Sequence, residues 1–173
     1  MRKLKINRSD FELAFEQGSY EMAFYLDSQT GSILLIQDDA RHRLDSPISE
    51  KGSLEAALAA IQTQADLSEW KHEQILDVAR VEWGDGERYL LIPQQDSNEG
   101  YRDMEEFVKT LEDGHLRELL EVALNGRGAF RRFKDVLYHY PHARAEWFKF
   151  RDERTQQRML DWFASEDIES EFE

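Results

Sequence analysis

"MAFYLDSQTGSILLIQ" (Met22–Gln37) decides the fold class. Two runs rich in aromatic and branched aliphatic residues flank a segment that holds Asp27, Ser28 and Gly31. Such runs pack well on a pleated surface, and a polar, glycine-containing break between them predicts a β-hairpin. Gly31 supplies the left-handed position of the turn, because a residue without a Cβ takes positive φ at little cost. Upstream, Ser9 followed by Glu12 has the spacing of a capping box. It opens a short helix with Phe11, Ala14 and Phe15 on one face, and Gly18 ends it.

Downstream, Asp38 to Gly52 is polar and without period, and Pro47 and Gly52 mark it as a loop. Leu54, Ala57, Leu58, Ile61 and Ala65 recur at helical spacing behind Ser53, and Ser68 to Ala79 forms a second helix with Trp70, Ile75 and Val78. Tyr89 to Ile92 is a strand that Pro93 terminates. "WGDGE" before it is a turn, so Val78 to Trp83 is offered as its hairpin partner.

The remainder reads as helix. Tyr101, Met104, Phe107, Val108 and Leu111 form one apolar stripe, and Leu116, Leu119, Leu120, Ala123 and Leu124 a second. Gly114 separates them, and Gly126 and Gly128 separate the second from a third helix. That third helix places Phe130, Phe133, Val136, Leu137 and Tyr140 along its packing side, and Pro141 stops it. A last helix spans about Ala143 to Phe163. Strands early and helices late predict an α+β fold. A small antiparallel sheet of three to four strands, mostly in the N-terminal half, packs with several helices, and the C-terminal half is all helical. One compact domain over residues 1–173 is expected, with the acidic tail from about 164 to 173 frayed; a two-lobe split near Gln94 to Gly100 is the alternative.

Composition narrows the function. The chain has 173 residues, 40% of them hydrophobic, enough for a real core. Its formal charge of -14 opposes long-range attraction to nucleic acid or anionic membrane. Without cysteine there is no disulfide, thiolate nucleophile or cysteine zinc site. No apolar run is long enough to span a bilayer, and "MRKLKINRSD" lacks the apolar core of a secretory leader. A cytoplasmic protein without membrane contact is expected.

Charge is distributed unevenly. Between Gly126 and Arg158, nine arginines and lysines face four acids, a local balance of +5. At about 100° per residue, Arg127, Arg131 and Lys134 share one side of the third helix. Arg144, Arg151, Arg154 and Arg158 fall within about 80° on the last helix, with Trp147 among them. Like charges in one stripe repel, so they need acidic neighbours or an acidic ligand. Candidate binding residues are therefore Arg127, Arg131, Arg132, Lys134, Trp147, Arg151 and Arg154. Internal ion pairing across the fold is the competing account of the same stripe.

Other chemistry is weakly represented. Asp38 and Asp39, with Asp27, offer carboxylates for a divalent cation. His139 and His142 straddle Pro141, which breaks the helix that a zinc spacing would need. No serine sits in a nucleophile elbow and no phosphate-binding glycine loop follows a strand. No metal or cofactor is expected, and the pattern leans away from an enzyme.

"YLDSQTG", "RYLLIP", "MEEFV", "GRGAFRRFKDVL" and "EWFKFRDE" occur in this order from about Glu21 to Trp162. Together they resemble the bacterial uncharacterised protein family 0158, and the glycine-to-aspartate run around Phe130 is the most specific part. Asp38 to Val78 departs most. The resemblance implies a compact bacterial cytosolic protein and carries no catalytic residues. The combined expectation is a non-enzymatic interaction or regulatory protein that uses its C-terminal basic and aromatic surface. A protein partner or self-association fits that surface. The alternatives are a nucleic acid or phosphorylated ligand on the cluster at 127–158, and a metal-dependent hydrolase built on the early acids.

Overall fold

The computed structural model describes residues 2–19, 21–44, 53–62 and 68–173. It divides into two compact units, Met1–Gln94 with Asp167–Glu173, and Gln95–Glu166. The fold is α+β, with the antiparallel sheet in the N-terminal half and a helical C-terminal half.

In the first unit, β1 (Arg2–Ile6) leads into α1 (Arg8–Gln17), then β2 (Met22–Asp27) and β3 (Ile33–Gln37). α2 (Asp38–Leu44), α3 (Leu54–Gln62), α4 (Glu69–Trp83) and β4 (Tyr89–Leu91) follow, and β5 (Ile168–Phe172) closes the unit. β2 and β3 are the predicted hairpin, paired antiparallel from Met22 opposite Gln37 to Leu26 opposite Ile33. Gly31 has φ +79°, and a Cβ there would lie 1.9 Å from the Lys5 carbonyl oxygen. The turn thus needs glycine both for its backbone and for close approach to β1. The buried carboxylate of Asp27 locks the hairpin. It accepts from Arg88 Nε at 2.9 Å, from Arg88 Nη2 at 2.6 Å and from the Gln29 N–H at 2.9 Å.

Several local expectations give way. The helix α1 is capped by Asn7, which accepts from the Asp10 N–H, and so starts before Ser9. The start of the segment assigned to loop is helix, because β3 runs straight into α2 and buries Ala40. Val78 to Trp83 continues α4, whose buried residues Ile75, Val78 and Ala79 keep helical spacing. β4 pairs with β2 instead, giving the order β3-β2-β4. The acidic tail, expected to fray, forms β5 and pairs in parallel with β1, with Lys3 Nζ 3.4 Å from Glu169 Oε1. Pro47, Gly52 and Ala65 lie outside the described residues.

The second unit is α5 (Ser97–Thr110), α6 (Gly114–Leu124), α7 (Ala129–Tyr138) and α8 (Pro141–Ser165). Its core draws on the predicted stripes: Met104, Phe107, Leu116, Leu120, Phe133 and Leu137 are buried together with Trp147, whereas Leu119 and Phe130 of those stripes are exposed. Gly126 and Gly128 both take positive φ in the α6–α7 corner. Pro141 sits in the first turn of α8, where its missing N–H has no intrahelical partner to lose.

Candidate functional site

α5, α7 and α8 enclose an open cleft of about 850 Å³ within the second unit. Each helix contributes side chains at helical spacing. On α5, Ser97, Gly100, Asp103 and Met104 face it, on α7 Phe130, Lys134 and Tyr138, and on α8 Arg144, Trp147, Phe148 and Arg151. A Cβ on Gly100 would lie 3.3 Å from the Phe130 ring, so the glycine lets that ring rest on α5. Asp96 starts α5 by accepting from the Asn98 N–H at 3.0 Å. The floor is made of packed rings: the buried Trp147 ring lies edge-on to Phe133 at 5.0 Å and to Phe107 at 5.3 Å. The rim is exposed and aromatic, with Phe130 43%, Tyr138 69% and Phe148 40% accessible. Three large exposed rings around one concavity are the kind of surface that a partner covers.

Charge is arranged along α8. The Arg144 guanidinium lies over Tyr138 at 5.9 Å and over Phe148 at 5.5 Å, and it has no acidic partner among the described residues. Arg151 lies 5.5 Å from the same Phe148 ring and bonds to its neighbour Asp152 at 3.0 Å. Stacking on ring faces fixes these planar groups while leaving N–H edges to donate. Lys134, exposed on α7, has no ion pair among the described residues. Further along α8 the cations pair with acids of α5. Arg158 Nη2 donates to Asp103 Oδ1 at 2.6 Å, and its Nε lies 3.7 Å from Glu99. Arg154 stacks on Phe150 at 5.3 Å and stands 3.4 Å from the same Asp103 oxygen. Asp103 is 1% exposed.

The seven candidate residues therefore separate. Lys134, Trp147 and Arg151 line the cleft, with Trp147 buried in its floor. Arg154 is held by Asp103. Arg132 serves the fold: its Nε donates to the Ala123 carbonyl at 3.1 Å and its Nη2 to that of Asn125. With the Tyr101 hydroxyl donating to the Leu124 carbonyl at 3.0 Å, it satisfies the open end of α6. Arg131 is exposed and 3.8 Å from Asp135, while Arg127 is exposed in the α6–α7 corner; neither lines the cleft. The cleft adds Phe130, Tyr138, Arg144 and Phe148 to the candidates. Arg144 was visible as part of the stripe, and Phe130 was assigned to packing because its spacing matches that of Phe133 and Leu137.

The far side of α8 has the opposite character. His142, Glu146, Lys149 and Glu153 lie roughly 180° from Arg144 on the helical wheel, and with Glu112 and Asp113 they border a second depression. His142 lies 3.5 Å from Glu146 and Lys149 3.8 Å from Glu153. Among the described residues no group of three or more histidine and acidic side chains is placed to hold a metal ion. Asp27 is engaged by Arg88, which also holds its carboxyl below the usual range. Burial raises the pKa, but the bonds from Arg88, Gln29 and Thr30 outweigh it. Asp38 and Asp39 occupy the first turn of α2. No described helix is long and apolar enough to cross a membrane.

The chain belongs to the uncharacterised protein family UPF0158, whose sequence model matches residues 63–173. That span includes all of α5 to α8 and β5, while "YLDSQTG" lies before it. The chain is similar to UPF0158 protein PA5073 of Pseudomonas aeruginosa, with 32% identity over 83 residues. The match covers 48% of this chain and 54% of that protein, so it spans about half the relative's length. No solved structure matches the chain.

Proposed function

We propose that this family member is a non-enzymatic interaction protein whose cleft between α5, α7 and α8 docks an acidic, apolar-bearing segment of a partner protein. The observation that carries this is the joint setting of Arg144 and Arg151 against exposed rings. Both guanidinium groups lie 5.5 Å from Phe148, at the rim of an apolar cleft. Arginine and aromatic side chains dominate the energetics of protein interfaces, and stacking reduces the entropy lost when they engage. Lys134 adds a third cation from the opposite wall. The ring-stacked arginines and the apolar floor together select a segment with carboxylates at its edge and large apolar side chains at its centre.

A protein partner suits this surface better than nucleic acid does. Strong nonspecific binding of nucleic acid draws on about 6–10 phosphate contacts, whereas this cleft offers three cations interspersed with Asp96, Asp103 and Asp135. The chain as a whole carries -14. Display of random peptides on phage, selected on the intact protein, tests the proposal. Enrichment of acidic sequences with large apolar residues, lost on the Arg144→Ala/Arg151→Ala double variant, is expected. Enrichment that survives that variant would overturn it, as would tighter binding of single-stranded nucleic acid than of any selected peptide.

A further inference from the structure

The α8 arginines form a ladder, and one rung is already occupied. Arg144, Arg151 and Arg158 are seven residues apart, about 10.5 Å along the helix axis for each interval. They share one side of α8, because seven residues turn the wheel by only about 20° short of two turns. Phe148 lies between the first two rungs and touches both guanidinium groups. The third rung belongs to α5, an acidic helix of the same unit. Glu99 and Asp103 pair with Arg158, and Asp103 also pairs with Arg154. Met104 and Phe107 on α5 are buried in the core that includes Trp147. α5 thus shows how this side of α8 receives a neighbour: the carboxylates of Glu99 and Asp103 meet arginines, and the apolar side chains of Met104 and Phe107, which follow them on the same helix, enter the aromatic core.

We infer that the segment docked in the cleft is an amphipathic α-helix of the partner protein. It carries carboxylates at positions i and i+7 that meet Arg144 and Arg151, and large apolar residues at i+3 and i+4 that enter between Phe130 and Phe148. This inference rests on the docking role proposed above and names the partner's chemistry. The axial rise of a helix matches the ladder rung for rung, since both are α-helical. An extended strand matches it poorly. Residues three apart span about 10 Å on a strand but point to opposite faces, and residues two apart span only about 7 Å. The cleft volume of about 850 Å³ is close to that of two turns of a helix roughly 10 Å across. Helix-in-groove docking reads i, i+3, i+4 and i+7 in this way.

Three fluorescein-labelled peptides test the inference by anisotropy on the intact protein. The first is an alanine-rich helix stabilised by a side-chain lactam, with glutamates at i and i+7 and leucines at i+3 and i+4. The second has the same composition with the second glutamate moved to i+5, on the opposite side of the helix. The third is the strongest peptide from the display selection. The first peptide is expected to bind at least ten-fold more tightly than the second, and to lose at least ten-fold on either Arg144→Ala or Arg151→Ala. Equal affinity of the first two would overturn the helical assignment. So would failure of the first to bind while the third binds with dependence on Arg151, and the docking role would then stand. Loss of Arg144 and Arg151 dependence for all three would overturn both. Unchanged melting temperature of the two alanine variants excludes misfolding as the cause.

Discussion

Replacing Asp103 tests the contact that fixes α5 against the arginine stripe. Its carboxylate is buried and receives Arg158 at 2.6 Å and Arg154 at 3.4 Å. Removing one partner of a fully buried ion pair costs about 3–5 kcal/mol, mostly because the other charge is stranded. Three features lower that range here. The Arg158 side chain is 22% exposed, Glu99 remains 3.7 Å away, and Asp103 Oδ2 has no hydrogen-bond partner among the described residues. Arg154 is 44% exposed, and a pair of that kind contributes little. The expected loss for Asp103→Ala is therefore about 2–3 kcal/mol. Asp103→Asn should lose a similar amount, because an amide keeps the shape but not the charge that Arg158 needs. Urea unfolding followed by far-UV circular dichroism gives the number, and at a usual slope the midpoint falls by about 1–2 M. A double-mutant cycle with Arg158→Ala should return about 2 kcal/mol of coupling. An Asp103→Asn variant within about 0.5 kcal/mol of the native protein would show that the pair does not hold α5 in place.

Gly31→Ala forces a side chain onto φ +79° and within 1.9 Å of the Lys5 carbonyl oxygen, and should cost about 3 kcal/mol or more by urea unfolding; Gly128→Ala, at φ +77° in open space, should cost about 1 kcal/mol. Asp27 has a folded pKa below its unfolded value of about 3.9. Its contribution is therefore complete above about pH 4 and is lost as pH falls through the folded value. Acid titration of the unfolding midpoint should show this loss below pH 4, and the Asp27→Asn variant, already weakened at pH 7, should lack that component. Arg132→Ala should lower stability by about 1 kcal/mol, because the carbonyls of Ala123 and Asn125 at the end of α6 lose a charged donor, and should leave peptide affinity unchanged.

Much of the fold was legible because its signals are local. The hairpin at Met22–Gln37, the Gly31 turn and the stripes of α5 to α8 each follow from spacing or from one residue's backbone freedom. β1 and β5 were not, because each is a short run of alternating charge whose partner lies at the other end of the chain. Only their pairing sets Lys3 beside Glu169 and buries Leu4, Ile6 and Ile168. Val78 to Trp83 favours a strand by residue type, yet burial of Ile75, Val78 and Ala79 on one face keeps it in α4. At the cleft, the charge asymmetry was visible, but the assignment of each arginine was not. Arg132 and Arg144 look alike in sequence. One meets the carbonyls of α6 and the other meets two rings, and both outcomes depend on contacts between helices. Asp103 was hidden for the same reason, as an acid on an acidic helix until Arg158 is placed beside it.

Reversing the two rungs at the cleft, Arg144 and Arg151, is the sharpest test of helix docking. Isothermal titration of the lactam-stabilised i/i+7 acidic peptide is carried out on the native protein and on Arg144→Glu/Arg151→Glu. Saturable binding at a single site is expected on the native protein, weakened by at least ten-fold in the double variant, with affinity for the variant restored when the peptide's two glutamates are replaced by arginines. Equal affinity of the native and reversed proteins for the acidic peptide would contradict helix docking.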